Sequence, residues 1–185
     1  SNLGDIGYLQ QRLDTAQLFQ FALVQNRDAV ANVLHVGEQV LDSALLPPDL
    51  RSAYAAVSEQ LLGRVTPALA GWPRIRLHGD CHHGNILWTD AGPHFVDLDD
   101  CRNGPAVQDL WMLLNGDRSE QTAQLSAMLE GYELFRRFDP AELALIEPLR
   151  SLRMLHYSGW LAKRWIDPAF PAAFPWADSE HYWSE

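Results

Sequence analysis

One stretch limits what this chain can fold into. Residues 78–99 read His78-Gly79-Asp80-Cys81-His82-His83-Gly84-Asn85, then Ile86-Leu87-Trp88, then Thr89-Asp90-Ala91-Gly92-Pro93, then His94-Phe95-Val96-Asp97-Leu98-Asp99. A polar loop crowded with His, Asp and Asn leads into two short apolar runs. The residues between the runs are turn formers, so the pattern predicts a β-hairpin. A hairpin returns its ends to one neighbourhood, which brings Asp80 and Asn85 back beside Asp97. Polar groups gathered next to buried strands are costly unless chemistry or a hydrogen-bond network uses them.

The residue types suggest roles. A carboxylate at Asp80 can take a proton or orient a hydroxyl. An amide oxygen at Asn85 and a carboxylate at Asp97 are hard oxygen donors suited to Mg²⁺. A base, an amide ligand five residues on and a carboxylate across a hairpin are the parts that phosphoryl transfer requires. Each residue also has a plainer reading: Asp80 as a loop cap, Asn85 as a turn former, Asp97 as a strand-end cap. The dense donor set at His78, Asp80, Cys81, His82 and His83 also resembles a metallophosphoesterase centre. Such a centre needs an upstream Asp-x-His and a further Gly-His-x-His, and the chain contains neither.

His78-Gly79-Asp80 followed by Asn85 and by Val96-Asp97-Leu98-Asp99 resembles the aminoglycoside phosphotransferase and choline kinase family, distant relatives of protein kinases. The string continues through Gly104-Pro105-Ala106-Val107-Gln108-Asp109-Leu110-Trp111, and over that length it is similar to the branch of bacterial stress-response Ser/Thr protein kinases. The resemblance implies an α+β fold, mostly α-helical: the C-terminal lobe of a protein-kinase-like fold with a small β hairpin. It implies Asp80 as the catalytic base. It implies Asn85 and Asp97 as ligands of a Mg²⁺ that bridges the phosphates of ATP. Asp99 is a further candidate at the metal. His78 is implied to order the loop, and Asp109 to steady it by hydrogen bonds. His82 and His83 stay open between substrate contact and packing. Arg102 stays open between meeting a phosphate and balancing Asp99 and Asp100.

Composition sets outer bounds. An apolar content of 47% over 185 residues is enough for a real core and argues against disorder. The net charge of −10, from 24 acidic against 14 basic residues, disfavours nucleic acid and anionic membranes as partners. No apolar run is long enough to span a bilayer. Two cysteines, Cys81 and Cys101, without a CxxC spacing, suit reduced thiols in the cytoplasm.

Around the central stretch the periodicity is helical. Leu9, Leu13, Ala16, Phe19 and Leu23 predict helix from Leu9 to about Leu34, and 33–41 reads as further helix or connector. Pro47-Pro48-Asp49 predicts a helix start with Asp49 as cap. Leu50, Tyr54, Val57, Leu61, Val65 and Leu69 mark the helix that follows. Arg74–Leu77 predicts a short strand into the loop. Helices are expected over 106–114, from Ser119 to about Phe135, and from Asp139-Pro140 through Trp160 despite Pro148. The tail from Asp167 has no period.

What a kinase also requires is not legible here. No stretch before residue 74 reads as a five-stranded sheet, Gly4-Asp5-Ile6-Gly7 is not a glycine-rich phosphate loop, and the sole lysine is Lys163. With a chain that begins at Ser1, this predicts a piece of a longer protein whose N-terminal ATP-binding lobe is missing. On this reading the piece carries the catalytic loop and does not turn over alone. The acceptor hydroxyl is expected on Ser or Thr of a protein. Small molecules (an aminoglycoside, choline or a homoserine-like alcohol) are the alternative, and a non-catalytic regulatory lobe is the alternative of another class.

Overall fold

The computed structural model describes residues 37–184; the helix expected before Leu34 lies outside them. The chain forms two compact units. The described part of one is Gly71–Ile146; the other comprises residues 37–70 and 147–184.

The second of these units is helical. Residues 37–42 are helical, and a 3₁₀ turn at Pro48–Leu50 leads into α1, Arg51–Ala68. Pro48 opens that turn, where a missing N–H costs nothing. Asp49, expected as the cap, lies inside the turn, and Leu50 takes the cap position with no side-chain bond. Further along, α4 covers Ile146–Arg164. Because it begins at Ile146, Pro148 falls in its first turn and leaves the ladder intact. Leu62 and Val65 of α1 pack with Leu152 and Leu155 of α4. A second cluster joins Val40, Leu45, Leu46, Leu161, Phe170 and Ala177. The aperiodic tail contributes to it through α5, Ala169–Ala173, which buries Phe170; α6, Glu180–Ser184, follows.

The first unit holds the strands. β1 is Ile75–Leu77, β2 Ile86–Thr89, β3 Gly92–Phe95 and β4 Arg102–Gly104. They make two antiparallel pairs, β1 with β4 and β2 with β3. The β2–β3 hairpin turns on Asp90-Ala91 alone. Gly92 has φ +107 and Pro93 lies within β3 opposite Trp88, a position open to proline because each strand of a two-stranded ribbon is an edge.

α2, Val107–Trp111, is shorter than its apolar run suggested. α3, Arg118–Glu133, begins on a capping box: Asp117 accepts from Ser119 and Glu120 N–H, and Glu120 reaches back to Asp117 N–H at 2.7 Å. A 3₁₀ stretch at Pro140–Leu145 is capped by Asp139. Leu77, Cys81, Val107, Trp111, Phe138 and Leu145 are the buried apolar residues of this unit's described part that bear most on the site. The described architecture is α+β and mostly helical, as the sequence predicts. Among the described residues no helix is long and apolar enough to cross a membrane.

Candidate active site

The loop between β1 and β2 is fastened from below. Asp109, in the first turn of α2, accepts from the backbone N–H of His78 at 2.7 Å through Oδ2 and from that of Gly79 at 2.9 Å through Oδ1. Both oxygens of one carboxylate thus hold consecutive loop amides, a charge-assisted arrangement. The start of α2 is held in turn by Glu142, a buried residue whose Oε2 accepts from Val107 N–H at 2.9 Å.

Gly79 has φ +89, and a Cβ there would run into the Asp100 carbonyl and the Arg102 guanidinium. Only glycine fits. Arg102 explains the crowding. It is 2% exposed, donates through Nε to the Asp100 carbonyl at 2.9 Å and through Nη2 to the Gly79 carbonyl at 3.0 Å. Its guanidinium also lies 3.6 Å from the Asp100 carboxylate. Buried against two carbonyls, Arg102 is not placed to meet a phosphate. It ties the loop before Asp80 to the loop after Asp97.

The hairpin register supplies the next link. Ile86 faces Phe95, so Asn85 comes opposite Val96, and Val96 N–H donates to the Asn85 carbonyl at 3.0 Å. Asp97 follows immediately. The His78 ring closes the same junction: its Nε2 lies 2.9 Å from the Val96 carbonyl, and its Nδ1 accepts from Asp80 N–H at 3.4 Å. An acceptor Nδ1 places the ring proton on Nε2 as the donor to Val96.

Asn85 is buried, and its Nδ2 donates to the Asp80 carbonyl at 3.0 Å and approaches the Asp80 carboxylate at 3.4 Å. With the amide nitrogen committed, Oδ1 is the end of Asn85 left to meet a cation. Asp97 is exposed and is the one described non-glycine residue with positive φ, at 62°. Such strain in a non-glycine residue is kept where the surroundings over-determine it, and it clusters at functional sites. Asp99 stands exposed on the 3₁₀ turn Leu98–Asp100.

The two open histidines separate. His83 is exposed and puts Nε2 2.8 Å from the Leu113 carbonyl and 3.0 Å from the Asn115 amide, tying the loop to the turn after α2. His82 lies against Asp80 instead, with Nε2 3.5 Å from Oδ2. Cys81, within the loop, is buried, and burial together with the nearby charges of Asp109 and Asp80 pushes its thiol up to about 11.

The donor chemistry fits a hard divalent cation. Among the described residues no three or more His, Cys, Asp or Glu side chains gather to hold a metal. A site with one amide oxygen and one carboxylate, Asn85 and Asp97, would leave the remaining coordination to phosphate oxygens and water, which suits Mg²⁺.

Sequence reasoning passed over Glu142 and the two-carbonyl role of Arg102. Both act across long stretches of chain, and no local pattern announces them.

Comparison with known proteins shows the family and the fold. The profile of the phosphotransferase enzyme family matches residues 11–146. Stress response kinase A of Escherichia coli K12 is 56% identical over 146 residues, which are 77% of this chain and 43% of that protein. Serine/threonine protein kinase RdoA of Salmonella typhimurium LT2 is 55% identical over 143 residues, again 77% of this chain and 43% of the relative. The chain therefore spans less than half the length of the curated relatives it matches. Among solved structures, the amicoumacin kinase hAmiN in complex with AMP-PNP, Ca²⁺ and Ami shares the fold. Its TM-score is 0.52 at 21% identity, covering 88% of this chain and 57% of the kinase.

Proposed function

Since this chain belongs to the phosphotransferase enzyme family, we propose that it is the catalytic-loop lobe of an ATP-dependent kinase, in which Asp80 is the base and Asn85 and Asp97 are the metal ligands. The observation that carries this reading is the bonded path from Asp80 through Asn85 to Val96 and so to Asp97. That path supports reading Asp80, Asn85 and Asp97 as neighbours at one end of the hairpin.

In this reading Asp80 aligns the acceptor hydroxyl and takes its proton. The hydroxyl oxygen bonds to the γ-phosphorus as the bond to the departing ADP oxygen breaks. Bound Mg²⁺ would neutralise charge developing on the phosphate oxygens. Asn85 and Asp97 would hold that ion, and His78, Asp109 and Arg102 keep the loop from shifting. Fixed positioning of this kind contributes most of what a protein can add to a loose phosphoryl transfer.

The acceptor we assign is a Ser or Thr hydroxyl of a protein, in a bacterial stress response. The support is the name and the level of identity of the relatives. ATP as donor is supported by the nucleotide analogue in the fold neighbour. Use of ATP suits the cytoplasm, and Cys81 and Cys101 form no disulfide. We assign the nucleotide-covering lobe to chain beyond this one, so that the piece alone is inactive. The hairpin leaves Leu87, Trp88 and Phe95 more than half exposed beside the site, a surface suited to being covered.

The test is Asp80→Ala in the longer protein that carries this chain, followed with labelled ATP, a protein pool and a panel of small alcohols. Loss of transfer with an unchanged melting curve is expected. Undiminished phosphorylation defeats the assignment, and label passing to a small alcohol in preference to protein replaces the acceptor with a small molecule.

A further inference from the structure

We propose that His82 is the positioning residue of Asp80, holding its carboxylate through an Nε2 proton that the Gly84 backbone forces onto that nitrogen. The proposal rests on Asp80 as the base and adds the group that orients it.

The geometry runs in one direction. His82 is the N-cap of the 3₁₀ turn His83–Asn85, in extended conformation at φ −106, ψ 167. Its Nδ1 accepts the backbone N–H of Gly84 at 3.0 Å. A ring nitrogen that accepts carries no proton, so the imidazole's single proton sits on Nε2. That nitrogen is the one 3.5 Å from Asp80 Oδ2. At that separation the pair stands at the edge of hydrogen-bond reach, and catalytic contacts often tighten only when substrate is bound.

Gly84 makes room for the ring position. A Cβ at residue 84 would come within 2.8 Å of His82 Cε1 and 3.0 Å of Nδ1, so any other residue would push the ring off Asp80. Oδ2 also lies 3.4 Å from the Asn85 amide nitrogen. Two N–H groups, from the N-cap and from the last residue of the 3₁₀ turn, thus approach the same carboxylate oxygen. The carboxylate's rotation about the Cβ–Cγ bond is restrained before any hydroxyl arrives, which is the preorganisation that a base needs.

The two jobs of His82 can be separated. Asparagine or serine at position 82 keeps an oxygen that accepts the Gly84 N–H and caps the turn, but neither reaches Asp80 as the imidazole does. On the chain itself, long-range ¹H–¹⁵N spectra of the imidazoles should show His82 protonated at Nε2 and bare at Nδ1. In the longer kinase, His82→Asn and His82→Ser should keep the melting temperature and the slow exchange of the Gly84 amide. Their kcat should fall roughly ten- to hundred-fold with little change in KM for the acceptor, the scale seen when an orienting partner is lost. His82→Ala should lose Gly84 protection as well. A proton on Nδ1, or a wild-type kcat in both capped variants, overturns the proposal. Asp80→Ala run alongside separates the two claims. An inactive Asp80→Ala beside fully active His82→Asn and His82→Ser defeats the positioning role alone; an active Asp80→Ala defeats the base assignment and the positioning role with it.

Discussion

Oδ2 of Asp109 lies 2.7 Å from the backbone nitrogen of His78, thirty-one positions earlier in the chain. Because Oδ1 holds the next amide, Gly79, at 2.9 Å, one side chain fixes both the height and the tilt of the loop that presents Asp80. Asp109→Asn keeps the shape but leaves one oxygen for two N–H groups and turns an NH₂ towards a donor. A loss of about 1–3 kcal/mol is expected, the cost of a partly buried donor left unmade. Urea unfolding monitored by tryptophan fluorescence measures it; an unchanged midpoint would show that the loop is held by other means.

Two glycine-to-alanine changes should move stability in opposite directions. At Gly79 the added Cβ meets the Asp100 carbonyl and the Arg102 guanidinium in a left-handed backbone, so Gly79→Ala should cost more than about 2 kcal/mol. At Gly63, exposed inside α1 with nothing near the added Cβ, alanine should stabilise by about 0.5–1 kcal/mol, chiefly by restricting the unfolded chain. Melting temperatures of the two variants beside wild type decide both.

Arg102 serves two carbonyls with two nitrogens of one planar fork. Lysine offers a single ammonium and cannot reproduce that geometry. Arg102→Lys should lose about 2–4 kcal/mol, because buried carbonyls and a buried charge are left poorly matched. A thermal melt indistinguishable from wild type would refute the clamp.

The raised thiol of Cys81 has a pH signature. Its folded pKa stands near 11 against a usual 9.0, so the unfolded chain binds fewer protons between those values. The resulting stability is complete below about pH 9 and is lost as pH rises towards 11. At neutral pH the buried, protonated thiol should react with a disulfide reagent only on unfolding. A stability profile flat from pH 8 to 11 in wild type, or rapid modification of native Cys81, contradicts this.

Much of the candidate site's local structure was readable in advance because its signals are local. The Asp80–Asn85 spacing, the turn formers before Pro93 and the alternation of apolar runs all act within a few residues. The capping box of Asp117 and Glu120 was equally local, and an Asp-x-x-Glu reading would have found it where Ser119 was taken as the start. β4 was not legible. Arg102-Asn103-Gly104 has no strand propensity, and these residues are extended because β1 pairs with them, Leu77 opposite Arg102.

By itself the sequence determined the kinase-like family, the hairpin, the mostly helical composition and the identity of the candidate base and ligands, since periodicity and motif spacing are properties of neighbouring residues. Only the tertiary structure decided that Arg102 is a buried clamp and not a phosphate contact, that His82 and not His83 faces Asp80, and that Glu142 holds the helix bearing Asp109. Those assignments depend on which distant segments meet, and burial then makes every unpaired polar group costly enough to choose a single partner.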